Sequence, residues 1–314
     1  MKSIIKLFGI VVFISAIVFS GISCTRNNSE SDFEARPIEG GSAIEITGYV
    51  GESWEVRIPP RIRNLPVTNI GQRAFREKNL ISVVIPNGVI EIGDVAFSNN
   101  QLTSITIPNS VTEIGHGAFS NNQLTSITIP NSITEIAFEL FSNNQLTSIN
   151  IPDSVTRIGH RAFSNNLLTN VSIPNSVTHL SGFSNNHLTN IVIPNSVTHL
   201  SGFSNNHLAN VTIPNGVTHI GSGTFRDNQI TSISFPNSVT NIGTWVFEFN
   251  TRDSAVTNVT IGANVILSFS ESEGRQIIEY YINPSIPGFD DFYRAHGNRA
   301  GTYIFSNGRW SLTQ

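Results

Sequence analysis

The residues of this chain with the most obvious chemical potential stand in one repeating column. It runs Glu91, Glu113, Glu135, Arg157, His179, His199, His219, Asn241. Three carboxylates stacked about 5 Å apart either repel one another or gather a cation. Three stacked imidazoles take up protons less readily than one alone, because each charge disfavours the next. A zinc site, a pH sensor and a plain by-product of repeat duplication all account for such a column. His187 and His207 form a second, shorter column, at the place held elsewhere by Gln101, Gln123 and Gln145. Ser, His and Asp are all present, but the Ser and His copies follow the period of the chain. A catalytic triad needs one unrepeated geometry. No G-x-S-x-G, H-E-x-x-H, P-loop or dinucleotide fingerprint occurs. The expectation is a protein that is not an enzyme and carries no cofactor and no resident metal.

What positions these columns is a repeat. Phe75, Phe97, Phe119, Phe141, Phe163, Phe183, Phe203, Phe225 and Phe247 follow one another at steps of 22, 22, 22, 22, 20, 20, 22 and 22. A period in this range is the signature of a stacked architecture. Gln101 to Asn122 serves as its template. Leu102, Ile105 and Ile107 are spaced as L-x-x-L-x-L, the core of a leucine-rich repeat. Ile105 and Ile107 are two apart and share one face of a strand, while Ser104 and Thr106 share the other. Pro108 lacks an N–H and ends the strand. Asn109-Ser110 supplies turn chemistry, and Asn121-Asn122 returns the chain to the next strand. One coil cannot bury its own apolar set, but stacked coils can.

The predicted fold is therefore a leucine-rich repeat solenoid. It has a parallel β-sheet on the concave face, short turns or single helical turns on the convex side, and β-rich caps. Nine strands, beginning near Leu80, Leu102, Leu124, Leu146, Leu168, Leu188, Leu208, Ile230 and Val256, would span roughly 40 Å. Their outward positions form the candidate concave binding face: Ser104, Thr106, Ser126, Thr128, Ser148, Asn150, Asn170, Ser172, Asn190, Asn210, Thr212, Ser232 and Ser234, with Val192 among them. Solenoids bind extended partners on such faces. Ser and Thr also simply suit solvated strands, so both readings stand. The face has no aromatic anchor, which argues against a tight hot spot.

The unit L-T-S-I-T-I-P-N-S-V-T-x-I-G-x-x-A-F-S resembles the BspA-type leucine-rich repeat of bacterial surface proteins, notably those of oral bacteria and spirochaetes. The resemblance covers roughly Trp54 to Ile261. It places the asparagine of the general leucine-rich consensus at Ser110, Ser132 and Ser154. Gly48-Tyr49, Val56-Arg57-Ile58-Pro59 and Leu65 to Gly71 are similar to the lead-in of such arrays, and Phe292 to Tyr303 resembles a treponemal C-terminal tail. What the resemblance implies is a cell-surface, adhesin-like protein that engages a host matrix or surface protein, or another bacterium. The alternative is a structural envelope lipoprotein whose repeats pack against other proteins without a host ligand.

Charged residues make up 13% of the chain and the formal net charge is −4. That argues against nucleic acid, which needs a basic face. The single Cys excludes an intramolecular disulfide framework. Residues 1–23 read as a signal peptide: Lys2 and Lys6 precede the apolar run Ile10 to Phe19. Cys24 follows at the place of a lipobox cysteine, where it would be cleaved to the N-terminus, acylated and held at a membrane. Gly21 departs from the usual lipobox, and cleavage after Ser23 without acylation, or an uncleaved anchor, also fits. The protein is expected to be exported, as a cell-surface or outer-membrane lipoprotein, or secreted if Cys24 is not acylated. Residues 24–36 read as a tether, 37–64 as an N-terminal cap, 65–262 as the repeats and 263–314 as a C-terminal cap that covers the last coil.

Overall fold

The computed structural model describes residues 27–38, 40–247 and 250, and beyond them 258–261, 266–267, 295, 300–306 and 309–313. The expected signal peptide and Cys24 lie outside these residues. The chain forms a parallel-strand solenoid of about nine turns, and helix is nearly absent among the described residues. The phenylalanines stack in one buried row, centroid to centroid 5.0 to 6.1 Å apart from Phe75 to Phe247. The row continues into the N-terminal cap through Tyr49 and Phe33, at 5.6 Å per step. Leu102, Ile105, Ile107, Val111 and Ile114 and their copies in the other coils complete one continuous core. Offset-stacked rings at this spacing add a directional preference to the burial of the apolar area.

The regular hydrogen-bonded ladder is not where the alternation pointed. It runs through the Glu and His column, as two-residue strands: Glu91–Ile92, Glu113–Ile114, Glu135–Ile136, Arg157–Ile158, His179–Leu180, His199–Leu200, His219–Ile220 and Asn241–Ile242. In each the first residue faces outward and the second is buried. The Leu-x-x-Ile-x-Ile run, expected to be the strand in every coil, is strand only toward the ends of the array, at Ser82–Val84, Ser232–Phe235 and Asn258–Ile261. Between these it is joined by isolated bridges linking Val84, Thr106, Thr128 and Asn150. Its alternation of buried and exposed side chains is nevertheless as expected.

A side chain explains part of this difference. In each Ser-Asn-Asn word the two asparagines do separate work. Asn121 and Asn143 adopt the left-handed region, with φ of 55° each, and turn the chain. Asn122 and Asn144 point inward and bond backbone. The Asn144 amide nitrogen donates to the carbonyls of Phe119, Phe141 and Ser142 at 3.0, 3.1 and 3.3 Å, and its oxygen accepts the Leu124 N–H at 3.0 Å. The pattern recurs at Asn100, Asn122, Asn166, Asn186, Asn206 and Asn228. The first N–H of each Leu run is thus taken by an amide oxygen of the next coil rather than by a strand carbonyl. At the consensus asparagine position a smaller ladder stands: Ser110, Ser154 and Ser176 donate to Val89, Ile133 and Val155 carbonyls at 2.7, 2.7 and 2.6 Å.

The long ladder has one break. Strands up to Glu113–Ile114 form one sheet and those from Glu135–Ile136 onward another. After the buried Ile of each long coil stands a glycine, at 93, 115, 159, 221 and 243, but position 137 is Ala. A Cβ on Gly115 would lie 2.5 Å from the Asp94 nitrogen, and one on Gly243 2.4 Å from that of Ser222. The ladder opens beside Ala137, whereas Ser201 holds the same position in a short coil with the ladder closed, its N–H donating to the Leu180 carbonyl at 2.9 Å.

Both ends are closed by antiparallel strands. Phe33–Pro37 pairs antiparallel with Ile44–Tyr49, which pairs parallel with Leu65–Ile70 and so joins the ladder. The segment expected as tether is therefore structured from Ser29, which caps the short turn Glu30–Asp32, and Phe33 is buried. An edge strand ending in Pro37 blunts the open ladder. At the other end Asn258–Ile261 pairs parallel with Ser232–Phe235 and antiparallel with Gly301–Ser306, which pairs with Arg309–Thr313.

Replacing Asn144 by Ala strands buried backbone groups and should lower stability by about 1–3 kcal/mol. Asn144→Asp should cost more, because a carboxylate would face three carbonyls. Denaturant midpoints of the two variants check the order. Gly115→Ala should destabilise by about 1–3 kcal/mol through forced separation of the coils, read as a lowered thermal midpoint.

Candidate interaction surfaces

Two solvent-facing surfaces run the length of the array. The first is the outward side of the Ile-x-Ile run. All thirteen residues expected there, from Ser104 and Thr106 to Ser232 and Ser234, are exposed. They stand in two columns whose register is fixed by the bridges Val84 to Thr106 to Thr128 to Asn150, and at the far end by Ser232 opposite Asn258 and Ser234 opposite Thr260. Val192, 73% exposed, and Val84 are the apolar members of this face. Its charges lie at the N-terminal end, where Glu55 and Arg57 pair with Ser82 and Val84. The chemistry offered is a broad field of uncharged donors and acceptors, each able to make neutral hydrogen bonds of modest net strength. A shallow depression of about 650 Å³, lined by Asn215, Ser234, Phe235, Pro236 and Thr260 among others, adjoins its C-terminal end.

The second surface is the Glu and His ladder. Arg157 pairs in register with Glu135 on one side and His179 on the other, and its Nε lies 3.3 Å from the Glu135 carboxylate. The three imidazoles stack face to face: His179 to His199 at 4.5 Å and 8°, His199 to His219 at 4.7 Å and 5°. Each ring is fixed by the threonine before it. Thr178, Thr198 and Thr218 contact the Nδ1 of His179, His199 and His219 at 3.0, 3.0 and 2.9 Å. Those hydroxyls already donate their protons, to the carbonyls of Thr156, Thr178 and Thr198 at 3.2, 3.2 and 3.1 Å. The hydroxyl oxygen therefore accepts, Nδ1–H donates, and in the neutral ring Nε2 carries the lone pair. Parallel stacked rings aim these lone pairs side by side. Two imidazoles on one zinc need converging nitrogens about 2.0–2.1 Å from the metal, which this stack does not provide. Among the described residues no group of three His, Cys, Asp or Glu side chains is arranged to hold a metal ion. Burial, then the neighbouring His179, His219 and Arg157, hold the His199 pKa below its ordinary value.

A third cluster escaped sequence reasoning. Phe138, 40% exposed, sits between His116 and His160 with centroids 6.0 Å away on both sides. Burial and Arg161 lower the His160 pKa, and Glu139 opposes them. Arg161 and Glu139 are 3.2 Å apart. The signal was one departure in the repeat: Ile136-Ala137-Phe138-Glu139-Leu140 replaces the usual Ile-Gly-x-x-Ala. The ladder break lies at the same coil.

The profile of the BspA type leucine-rich repeat region matches residues 68–182 and 180–272, in six copies. Among solved structures, a leucine-rich repeat protein from Bacteroides ovatus is similar at 26% identity and TM-score 0.59, over 76% of this chain and 70% of that one. A leucine-rich repeat protein from Eubacterium ventriosum is similar at 25% identity and TM-score 0.52, over 75% of this chain and 71% of that one. No curated protein matches significantly. The matched fold is typically a scaffold for protein–protein interaction rather than for catalysis.

The lowered pKa of His199 fixes the sign of a pH effect. In the unfolded chain this histidine binds its proton more readily than in the folded one. Its contribution to stability is full above about pH 6.5 and is lost as the pH falls through the lowered folded value. Thermal midpoints followed by intrinsic fluorescence at high dilution should drop between about pH 7 and 5, and His199→Gln should flatten that dependence.

Proposed function

Because the chain belongs to the BspA-type leucine-rich repeat family, we propose that it is an exported, adhesin-like surface protein that binds another protein along the outward face of its repeats. The partner in this reading is a host matrix or surface protein, or a protein on another bacterium. The observation that carries it is the exposure, on one side of the array, of all thirteen Ser, Thr and Asn side chains from Ser104 to Ser234. The face presents hydrogen-bonding groups at a regular interval to an extended partner, with Val192 and Val84 as its apolar members. The rest of the reading follows from the sequence. Cys24 would carry the lipid anchor, and the array would stand off the membrane as a non-enzymatic binding protein. Individually weak hydrogen bonds gain effective strength when many copies sit on one cell.

Protease added to intact cells should cleave the protein, and protection would point inward, to the structural envelope role. Pull-down with matrix proteins should weaken by about tenfold or more for the double variant Thr106→Arg, Thr128→Arg, which sets two large cations into a neutral face. Unchanged binding by that variant would remove the site from this face.

A further inference from the structure

The outward ladder is acidic in one half and basic in the other. Glu91, Glu113 and Glu135 occupy three successive coils, with the ladder opening between the second and third, and Arg157, His179, His199 and His219 the next four. Read backwards from the midpoint between Glu135 and Arg157, the order exchanges every carboxylate for a base. Glu135 falls on Arg157, Glu113 on His179 and Glu91 on His199. A twofold axis crossing the ladder at that midpoint makes the same exchange between two molecules, and an isologous contact of this kind closes on itself. We propose that the protein pairs with a second, antiparallel copy of itself along this ladder in mildly acidic solution, the acidic half of each copy lying against the Arg and His half of the other.

The side chains are placed for it. All of these residues are exposed or partly exposed, and no aliphatic group separates them along the column. The threonine bonds engage Nδ1 of each ring and leave Nε2 without a contact to those hydroxyls. The groups acting on His199 are His179 and His219 on the adjoining rungs and Arg157 beyond them, with Glu135 one rung further. His219 is followed by the uncharged Asn241. Within one molecule, then, protonation of the stack adds cations beside cations. A second copy brings three carboxylates to that surface, so association and proton uptake favour each other. Without protons on the stack, Arg157 is the fixed cation of this half of the column, and the facing carboxylates have little to bind. Exposed ion pairs are individually weak and screened by salt, so the contact should be reversible and salt-sensitive. It is independent of what the Ser and Thr face binds.

Sedimentation velocity of the full chain tests it. At low salt, self-association should be at least about tenfold tighter near pH 5.5 than near pH 7.5, and raising the salt to about 0.5 M should abolish the difference. The triple variant His179→Gln, His199→Gln, His219→Gln and the triple variant Glu91→Gln, Glu113→Gln, Glu135→Gln should each remain monomeric at the lower pH. Mixed together they should associate, more weakly than the wild type, because each supplies the half that the other lacks. A wild type that is monomeric at both pH values, or equally associated at both, overturns the proposal. So does wild-type-like association of either variant alone, or a mixture that stays monomeric. Should a variant fail to give the wild-type circular dichroism spectrum, the pH and salt series of the wild type decides.

Discussion

Everything in this molecule depends on the coil-to-coil translation set by a parallel β ladder, about 4.8 Å per rung. At that spacing each side chain packs against its own copy from the coil before. A residue type is therefore admitted to a column only if it can stack on itself. Phe does so by offset ring stacking, as the row from Phe75 to Phe247 shows. The same spacing brings backbone so close at Gly115 and Gly243 that a Cβ has no room, which ties the fineness of the ladder to single positions in the sequence.

Self-stacking also decides which polar groups are buried. An amide carries both donors and an acceptor, so one asparagine can hold carbonyls of its own coil and of the previous one while receiving an N–H from behind it. Asn122 and Asn144 do this in sequence, and no counter-charge is needed anywhere along the row. A buried carboxylate or ammonium column would meet like charge at every rung. Charge is accordingly confined to the outside, where water screens it, and the chain as a whole carries few charges. The outward columns differ in what duplication has placed in them: neutral Ser, Thr and Asn on one surface, and three Glu followed by Arg and three His on the other. The first offers many equivalent hydrogen-bonding groups to a long partner. The second concentrates opposite charges in the two halves of one line, and a threonine hydroxyl engages Nδ1 of each of its histidines.

The sequence by itself determined the solenoid, because a Phe that returns every 20 or 22 residues has no other economical explanation, and it determined which strand positions face outward, because alternation needs no tertiary knowledge. It did not determine where the backbone ladder lies. Two-residue words such as Glu113-Ile114 and His199-Leu200 are too short to show a strand period, while the longer Leu102 to Ile107 run does show one and yet gives up its first N–H to Asn122. Nor did it separate the two asparagines of each Ser-Asn-Asn word, which read alike as turn formers until the fold turns one through positive φ and buries the other. Phe33 looked like part of a polar tether because its partners, Tyr49 and Phe75, are 16 and 42 residues away along the chain. Local pattern fixes what each coil buries. Contacts between coils fix which polar group bonds which backbone, and those exist only once the coils have stacked.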